Sequence, residues 1–356
     1  VLYTVIIAGG RGERFWPKSR RSFPKQFLRL FGKKSLIELT YERIKSFCPL
    51  IRQRYVIPSD LVRPLRKAMP GLKKNNVIAE PVGKNTALAI GLAAACIIRE
   101  DPNAVLVVLS ADHLITDTGR FCKGVEFARS LAKEGYLVTF GIPPSRPETG
   151  YGYIRAGKEL RTKNGMTAFA AEGFTEKPSP ERAREYLNLG NYFWNSGMFV
   201  WTGKAILEAI DRYLPELGRS LARFQPHIGT RQEQSTLKRL YQKAQSISID
   251  YGVMEQAENI AVVRADFDWD DVGSWVALER HHEKNLDNNT IFGKYLGIDT
   301  KDSIIWAENG MVATLGIRDM LVVKAGEVVL VCPKARAQDV KKLIERLVKN
   351  NDKEFL

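Results

Sequence analysis

The strongest constraint on the fold is a regular alternation through the first 142 residues. Short runs rich in β-branched residues (YTVIIA, RYVIP, NNVIAE, AVLVVLSAD, YLVTFGI) are separated by longer segments with helical character (SLIELTYERIKSF, DLVRPLRKAM, TALAIGLAAACIIRE, FCKGVEFARSLAKEG). A strand that is followed by a helix before the next strand must cross over, and cross-overs make parallel neighbours. The alternation therefore predicts a doubly wound α/β sheet, which binds ligands at the carboxyl ends of its strands. IIAGG and VVLSAD both close strands and belong at that edge. The longest apolar run, Ala87 to Ile98, is too short to span a bilayer and predicts a buried helix.

From about 150 to 285 strands (FAAEGF, GMFVW, AVVRAD) mix with helices (PERAREYLNLG, GKAILEAIDRYL, VMEQA) without a clear linker. Residues 1–285 are therefore expected to form one domain with insertions. After HHEKNLDNN the pattern changes to short β-like pieces with turns, then the amphipathic helix ARAQDVKKLIERLVKN. Residues 286–356 are expected to form a separate small β unit with a terminal helix.

Basic residues outnumber acidic ones, 54 against 40, giving a net charge of +14. Such an excess points to an anionic partner or to a thermophilic surface. The basic residues lack interleaved aromatics or a recognition-helix pattern, so no nucleic-acid binding is expected. Cys48, Cys96, Cys122 and Cys332 form no C-x-x-C pair, which argues against zinc and disulfides and fits a cytoplasmic protein. The chain shows no signal-peptide pattern, and no membrane association is expected.

The stretch VIIAGGRGERFWPKSRRSFPKQ, residues 5–26, gathers glycines and cations behind the first strand. Consecutive backbone N–H groups in a glycine turn bind phosphate, and Arg14 and Lys25 add charge beside them. The stretch is neither a P-loop nor G-x-G-x-x-G, since Phe15 takes the third glycine's place. It resembles the signature of sugar-nucleotide pyrophosphorylases, G-G-x-G-x-R followed by P-K, and FWPKSR and PKQFL resemble the mannose-1-phosphate guanylyltransferase branch. The resemblance continues, in the family's order, through EPVGKNTA, SADH, TGYGYI, FTEKP, WNSGMF, SIDYGVME and WDDVGSW, and spans residues 5–275. The usual bacterial loop reads G-G-x-G-T-R-L-W-P; Glu13 and Phe15 depart from it here.

The resemblance implies a Rossmann-like nucleotidyltransferase domain with a mixed, mainly parallel sheet, followed by a short left-handed β-helix-like unit. It implies transfer of GMP from GTP to mannose 1-phosphate, giving GDP-mannose and pyrophosphate. Ala8, Gly9, Gly10, Arg11, Gly12, Glu13 and Arg14 would hold the nucleotide. Asp112, at a strand end, suits Mg²⁺ or a turn; by resemblance it shares the metal with Asp271. Asp270 is an open neighbour, which could cap a helix starting near Val272. Glu80 offers a carboxylate to the N1–H and N2–H₂ edge of guanine, with Asn85 and Thr86 beside it at a helix start. Asn85 could equally be a simple cap.

Gly150 could bond sugar hydroxyls or form an ordinary turn. Glu176 would accept from sugar hydroxyls and Lys177 would hold the sugar phosphate, unless the two are an exposed ion pair. Asn195 can donate and accept, as hydroxyl recognition requires, or form a turn. Trp194, Trp269 and Trp275 read as core. His281 and His282, in a charged stretch, read as surface residues, and His113 is assigned no proton transfer. No covalent nucleophile is expected.

The anionic sugar phosphate needs no general base, so the expected catalysis is positioning and charge stabilisation by Mg²⁺, Arg14, Lys25 and Lys177. The apolar runs Met320–Val323 and Val328–Val331 are expected to pair subunits into a homodimer. No room is seen before Leu356 for the isomerase domain of longer bacterial relatives. Other readings are a pyrophosphorylase of different base or sugar specificity, and a non-catalytic sugar-nucleotide sensor on the same fold.

Overall fold

The computed structural model describes residues 1–356. In the first half the strands β1 (Leu2–Ile7), β2 (Gln53–Pro58), β3 (Val77–Glu80), β4 (Val105–Ser110), β5 (Leu114–Ile115) and β6 (Leu137–Ile142) alternate with the helices α1 (Leu36–Ile44), α2 (Val62–Ala68), α3 (Asn85–Glu100) and α4 (Thr118–Ala132). The middle adds β7 (Tyr153–Lys163), β8 (Met166–Thr175), α5 (Pro180–Leu189), β9 (Tyr192–Thr202), α6 (Gly203–Tyr213), α7 (Pro215–Phe224), α8 (Glu233–Lys243), β10 (Ile260–Arg264) and β11 (Trp269–Asp270). The main sheet runs β3-β2-β1-β4-β9-β6-β10-β8-β7. Strands β3, β2, β1 and β4 are mutually parallel, as are β6 and β10. Strand β9 runs antiparallel between β4 and β6, and β8 antiparallel between β10 and β7, which makes the sheet mixed, with seven strands running one way and two the other.

Both faces of the sheet are covered, which is why its central strands are continuous apolar runs rather than alternating ones. One face packs against α1, α2 and α4, the other against α3, α6, α7 and α8. Helix α3 is buried along Ala87–Ala95, as its composition predicts. Five elements were not anticipated: α7, α8, the long hairpin strand β7 and the short strands β5 and β11. The segment VMEQA forms no helix; a single π-type turn spans Asp250–Met254 in its place.

The chain ends in β12 (Thr290–Ile298), β13 (Ile304–Leu315), β14 (Met320–Ala325), β15 (Val328–Pro333) and α9 (Val340–Asn350). Strands β12, β13 and β14 stack in parallel, with Thr290 beside Ile304 and Ile304 beside Leu321, like rungs of a β-helix; β15 turns back antiparallel.

This unit packs against the first domain. Ile304, Trp306, Leu321 and Leu330 share one buried core with Phe15, Trp16 and Leu28 of the signature stretch and with Val272 and Trp275. Trp275 lies 5.3 Å from Phe15 and 5.4 Å from Trp306 between ring centroids. Lys18 leaves the glycine loop altogether and pairs with Glu308 over the Trp306 ring. Leu321 and Val323 are fully buried, so Met320–Val323 supplies little outward apolar surface. The exposed large apolar residues of the unit's strands are Leu296, Ile298, Met311, Leu315, Val329 and Val331.

Candidate active site

The site begins where β1 stops. Ala8 continues the β2 pairing by one bond, its N–H donating to Val56 at 2.9 Å, while Gln26 Nε2 donates to the Ala8 carbonyl at 2.8 Å. The chain then reverses through Gly12 at φ 61°, where a Cβ would lie 2.2 Å from the Lys25 Cβ. Only glycine can sit there, because the FPKQF turn is packed directly against it. Ser19 Oγ donates to the Gly12 carbonyl at 2.8 Å, and Phe15 anchors the far end in the shared core.

That packing places Lys25, 6% exposed, under the loop. Its ammonium donates to Asp112 Oδ2 at 2.8 Å and to the backbone carbonyl of Asp271 at 2.5 Å. The two aspartates come from distant segments, and a two-stranded ribbon brings them together. Asp112 lies between β4 and β5, and Asp271 directly follows β11, which pairs antiparallel with β5 (Asp270 opposite Leu114). Burial pushes the Asp112 carboxyl up, but the Lys25 ammonium, with the other groups and hydrogen bonds around it, outweighs that and holds the carboxyl below its ordinary range. For Asp271 burial prevails over Lys25 and the carboxyl is raised; Tyr151 Oη donates to its Oδ1.

Asp271 and His113 line two adjoining cavities. The first, about 430 Å³, is also lined by Arg11, Gly12, Arg14, Lys25, Asp112 and Lys341. Lys341 comes from α9 and was missed in the sequence, where it is one lysine among many in an amphipathic helix. Arg11 reaches past the loop to Asp60 at 2.9 Å, and Glu13 is exposed. The second cavity, about 230 Å³, is lined by Thr86, Gly150, Glu176, Asn195, Asp250 and Trp269 among others. His113 is neutral: burial pushes its pKa down to about 4, and its Nδ1 faces the indole N–H of Trp269 at 3.2 Å.

In the second cavity the Glu176 carboxylate is held on one side by Lys177 Nζ at 2.6 Å, while its buried Oε2 has no partner. A buried oxygen without a donor marks a place where a ligand hydroxyl would complete the shell. A Cβ on Gly152 would lie 2.4 Å from that oxygen, so the glycine keeps the approach open. The Lys177 side chain stays at the rim, on Glu176, and lines neither cavity.

Asn195 is engaged within the protein. Its Oδ1 accepts from Thr139 and Gly197, each at 3.2 Å, and its Nδ2 donates to Asp250 Oδ1 at 2.7 Å. Asp250 was quoted within a motif but given no role. Burial, with Glu176 nearby, pushes its carboxyl up to about 6.

Glu80 lines neither cavity. It is buried beneath Gly9, with one oxygen accepting from Tyr241 Oη at 3.0 Å, and burial raises its carboxyl. Tyr241, on α8, was not anticipated either. Asn85 is exposed and bonds its own neighbour, its Oδ1 accepting from Thr86 N at 2.9 Å, whereas Thr86 Oγ1 accepts from Ile249 N.

Asp270 turns away from both cavities. Arg280 grips it with two bonds of 2.7 Å, His281 Nε2 lies 2.7 Å away, and its Oδ1 accepts from Val272 N at 2.8 Å. It thus caps the Val272 turn rather than a helix there; the next helical turn starts only at Trp275. His281 and His282 are correspondingly not surface residues. His281 is 22% exposed against Asp270, and His282 stacks on Phe31 at 5.4 Å. Val272 itself sits at φ 48°, Lys177 at 49° and Asn85 at 65°. Strained non-glycine residues therefore fall in three of the motifs, as they do at functional sites.

Two family models match the chain: "Nucleotidyl transferase" over residues 3–288 and "MannoseP isomerase/GMP-like beta-helix domain" over 293–347. The mannose-1-phosphate guanylyltransferase of Klebsiella pneumoniae is 38% identical over the whole of this chain and 76% of its own length. That of Escherichia coli K12 is 37% identical over 97% of this chain and 73% of its own. Among solved structures, a protein described as a mannose-1-phosphate geranyltransferase from Thermus thermophilus superposes with a TM-score of 0.87 at 38% identity, covering 97% of this chain and 99% of that one. A mannose-6-phosphate isomerase from Helicobacter pylori superposes at 0.60 and 28% identity over 76% of this chain. The chain belongs to the nucleotidyl transferases, in the mannose-1-phosphate guanylyltransferase family.

Proposed function

We propose that the protein joins GTP and mannose 1-phosphate into GDP-mannose and releases pyrophosphate. The observation that carries this reading is the junction of two cavities at Asp271 and His113, one lined by cations and a glycine loop, the other by an orphaned carboxylate oxygen. The first suits a triphosphate. The second suits a polyol, whose hydroxyls donate to Glu176 Oε2 and to Asp250. Guanine would lie over Gly9 with Glu80 beneath it, which favours a purine that offers donors.

The site fits Mg²⁺. Asp112 and Asp271 face one cavity; Glu13 and His113 line it too, but no three acids, histidines or cysteines come together there as a ligand set. Two carboxylates, with the remaining positions left to phosphate oxygens and water, is the usual arrangement for this ion. When bound, Mg²⁺ would supply Lewis-acid stabilisation and a template for the reacting phosphates. The chain's own residues supply the rest. The loop N–H groups and Arg14 hold the triphosphate, and Lys341 reaches its outer end. Lys25 shifts from Asp112 to the α-phosphate as negative charge builds there. Lys177 swings from Glu176 onto the incoming sugar phosphate, whose oxygen attacks in line with the departing pyrophosphate. His113, neutral, takes no proton.

The domains are proposed as 1–285 and 286–356, with the exposed strip Leu296, Ile298, Leu315 and Val331 joining two chains into a homodimer; a light-scattering mass of one chain would refute it. Four unpaired thiols favour a cytoplasmic setting, and no helix is long and apolar enough to cross a membrane. The deciding experiment is pyrophosphate release over four nucleoside triphosphates against mannose and glucose 1-phosphates, with and without Mg²⁺. Turnover confined to GTP and mannose 1-phosphate, and abolished by chelator, supports the reading. Turnover with another base refutes the role of Glu80, and no turnover at all from folded protein favours a sensor.

A further inference from the structure

A groove on the opposite side of α3 from the catalytic loop is made by α7, α8 and the segment that follows α8. It has two adjoining lobes, about 370 and 550 Å³, that share Ser220, Arg223 and Lys243 in their walls. No residue of either lobe lines the catalytic cavities.

The lobes differ in chemistry. The smaller has a wall of Tyr213, Leu214, Pro215, Leu217 and Ile247. The larger is polar, with Arg223, Arg239 and Lys243 converging beside His227, Ser235 and Thr236. Glu216 is the one acid lining the groove, and none of Arg219, Arg223, Arg239 or Lys243 is within ion-pair distance of a carboxylate. Some cations elsewhere on this surface are paired, as Arg129 is with Glu126 and Arg161 with Glu134. Unpaired cations facing a concave, hydroxyl-bearing lobe form a phosphate receptor. A flat apolar wall at the other end suits a ring.

We propose that this groove is a second nucleotide site, taking a nucleoside diphosphate with its phosphates between Arg223, Arg239 and Lys243 and its base against Tyr213 and Leu214. Helix α8 presents Arg239 and Lys243 to the groove and Tyr241 to Glu80, so the site lies one helix thickness from the catalytic nucleotide.

Equilibrium dialysis of labelled GDP, up to about 1 mM, against the full chain tests the proposal. The expected stoichiometry is two per chain, falling to one in Arg223→Ala/Lys243→Ala and to one in Arg14→Ala/Lys341→Ala. Arg223 and Lys243 are exposed, so the double variant folds and keeps its rate of pyrophosphate release without GDP. One equivalent in the unaltered protein, or two in Arg223→Ala/Lys243→Ala, overturns the site. An unchanged stoichiometry in Arg14→Ala/Lys341→Ala counts instead against the catalytic reading, which keeps the two failures apart. Inorganic pyrophosphate is expected to bind the groove about tenfold more weakly than GDP, since it leaves the apolar lobe empty. Equal binding overturns the nucleoside assignment, and retention of single-stranded RNA in place of GDP overturns the proposal.

Discussion

Lys25 ties the two acids of the site to one ammonium, so its loss acts on both. Lys25→Ala is expected to lower kcat about 10²- to 10³-fold, the usual consequence of removing one preorganised charge at the reacting centre, as read by steady-state pyrophosphate release. Asp250 carries the pH dependence. Its carboxyl is raised from 3.8 to about 6 in the fold, so the native state holds the proton more tightly and ionising it costs stability as pH rises through that window. Asp250→Asn is therefore expected to match the parent below about pH 4 and to exceed it above about pH 6, by up to ~3 kcal/mol in urea unfolding. In the parent, KM for mannose 1-phosphate rises as pH falls through about 6, because a protonated Asp250 accepts hydroxyls poorly; the variant keeps only the dependence that comes from the substrate's own phosphate. The sequence shows that residues such as Lys25, Asp112 and Glu176 are chemically able. It does not show that one oxygen of Glu176 is left orphaned, or that Asn195 spends its amide on Asp250, because both follow from neighbours far along the chain.

At the level of elements, the ribbon of β5 and β11 converts two distant aspartates into a pair, and Asp270 locks it. Removing the Asp270 side chain leaves Arg280 and the Val272 N–H without their acceptor. Asp270→Ala is expected to destabilise by about 2–3 kcal/mol, less than a fully buried broken pair because Arg280 keeps one edge in water. Asp270→Asn retains an acceptor for Val272 and should lose less; urea titration of the two separates charge from hydrogen bond. The parallel strands were legible because burial on both faces leaves β-branched runs with little alternation. Strand β7 was not, since YIRAGKELRTK alternates charged and small residues along a solvent-facing hairpin and reads as loop. Helix α8 was hidden for a similar reason: EQSTLKRLYQK buries only Leu237, Leu240 and Tyr241. His281 and His282 looked like surface because their neighbours in sequence are charged, whereas their neighbours in space are Asp270, Phe31 and Phe292.

Across the whole molecule, the C-terminal unit is part of the catalytic loop's foundation. Trp306, 7% exposed, lies between Trp275 and Phe292, so Trp306→Ala is expected to cost about 3–5 kcal/mol by thermal or urea unfolding and to lower kcat by loosening Phe15 and the loop above it. Lys341 contributes by charge alone; Lys341→Ala should raise KM for GTP about 3- to 10-fold at low salt, with the difference fading as ionic strength rises. Composition predicted a β unit here but not its attachment, which rests on the mutual fit of aromatic rings from three stretches. That arrangement also divides the tryptophans into two optical populations. Trp16, Trp275 and Trp306 are sealed behind the loop and Trp194 and Trp201 are buried in the cores of the main sheet, whereas Trp269 meets His113 at 5.3 Å and Tyr151 at 5.4 Å where the two cavities join. The molecule thus carries an unlabelled reporter: a soluble quencher reaches the emission of Trp269 and is shut out by substrate, while the sealed group keeps its signal as an internal standard.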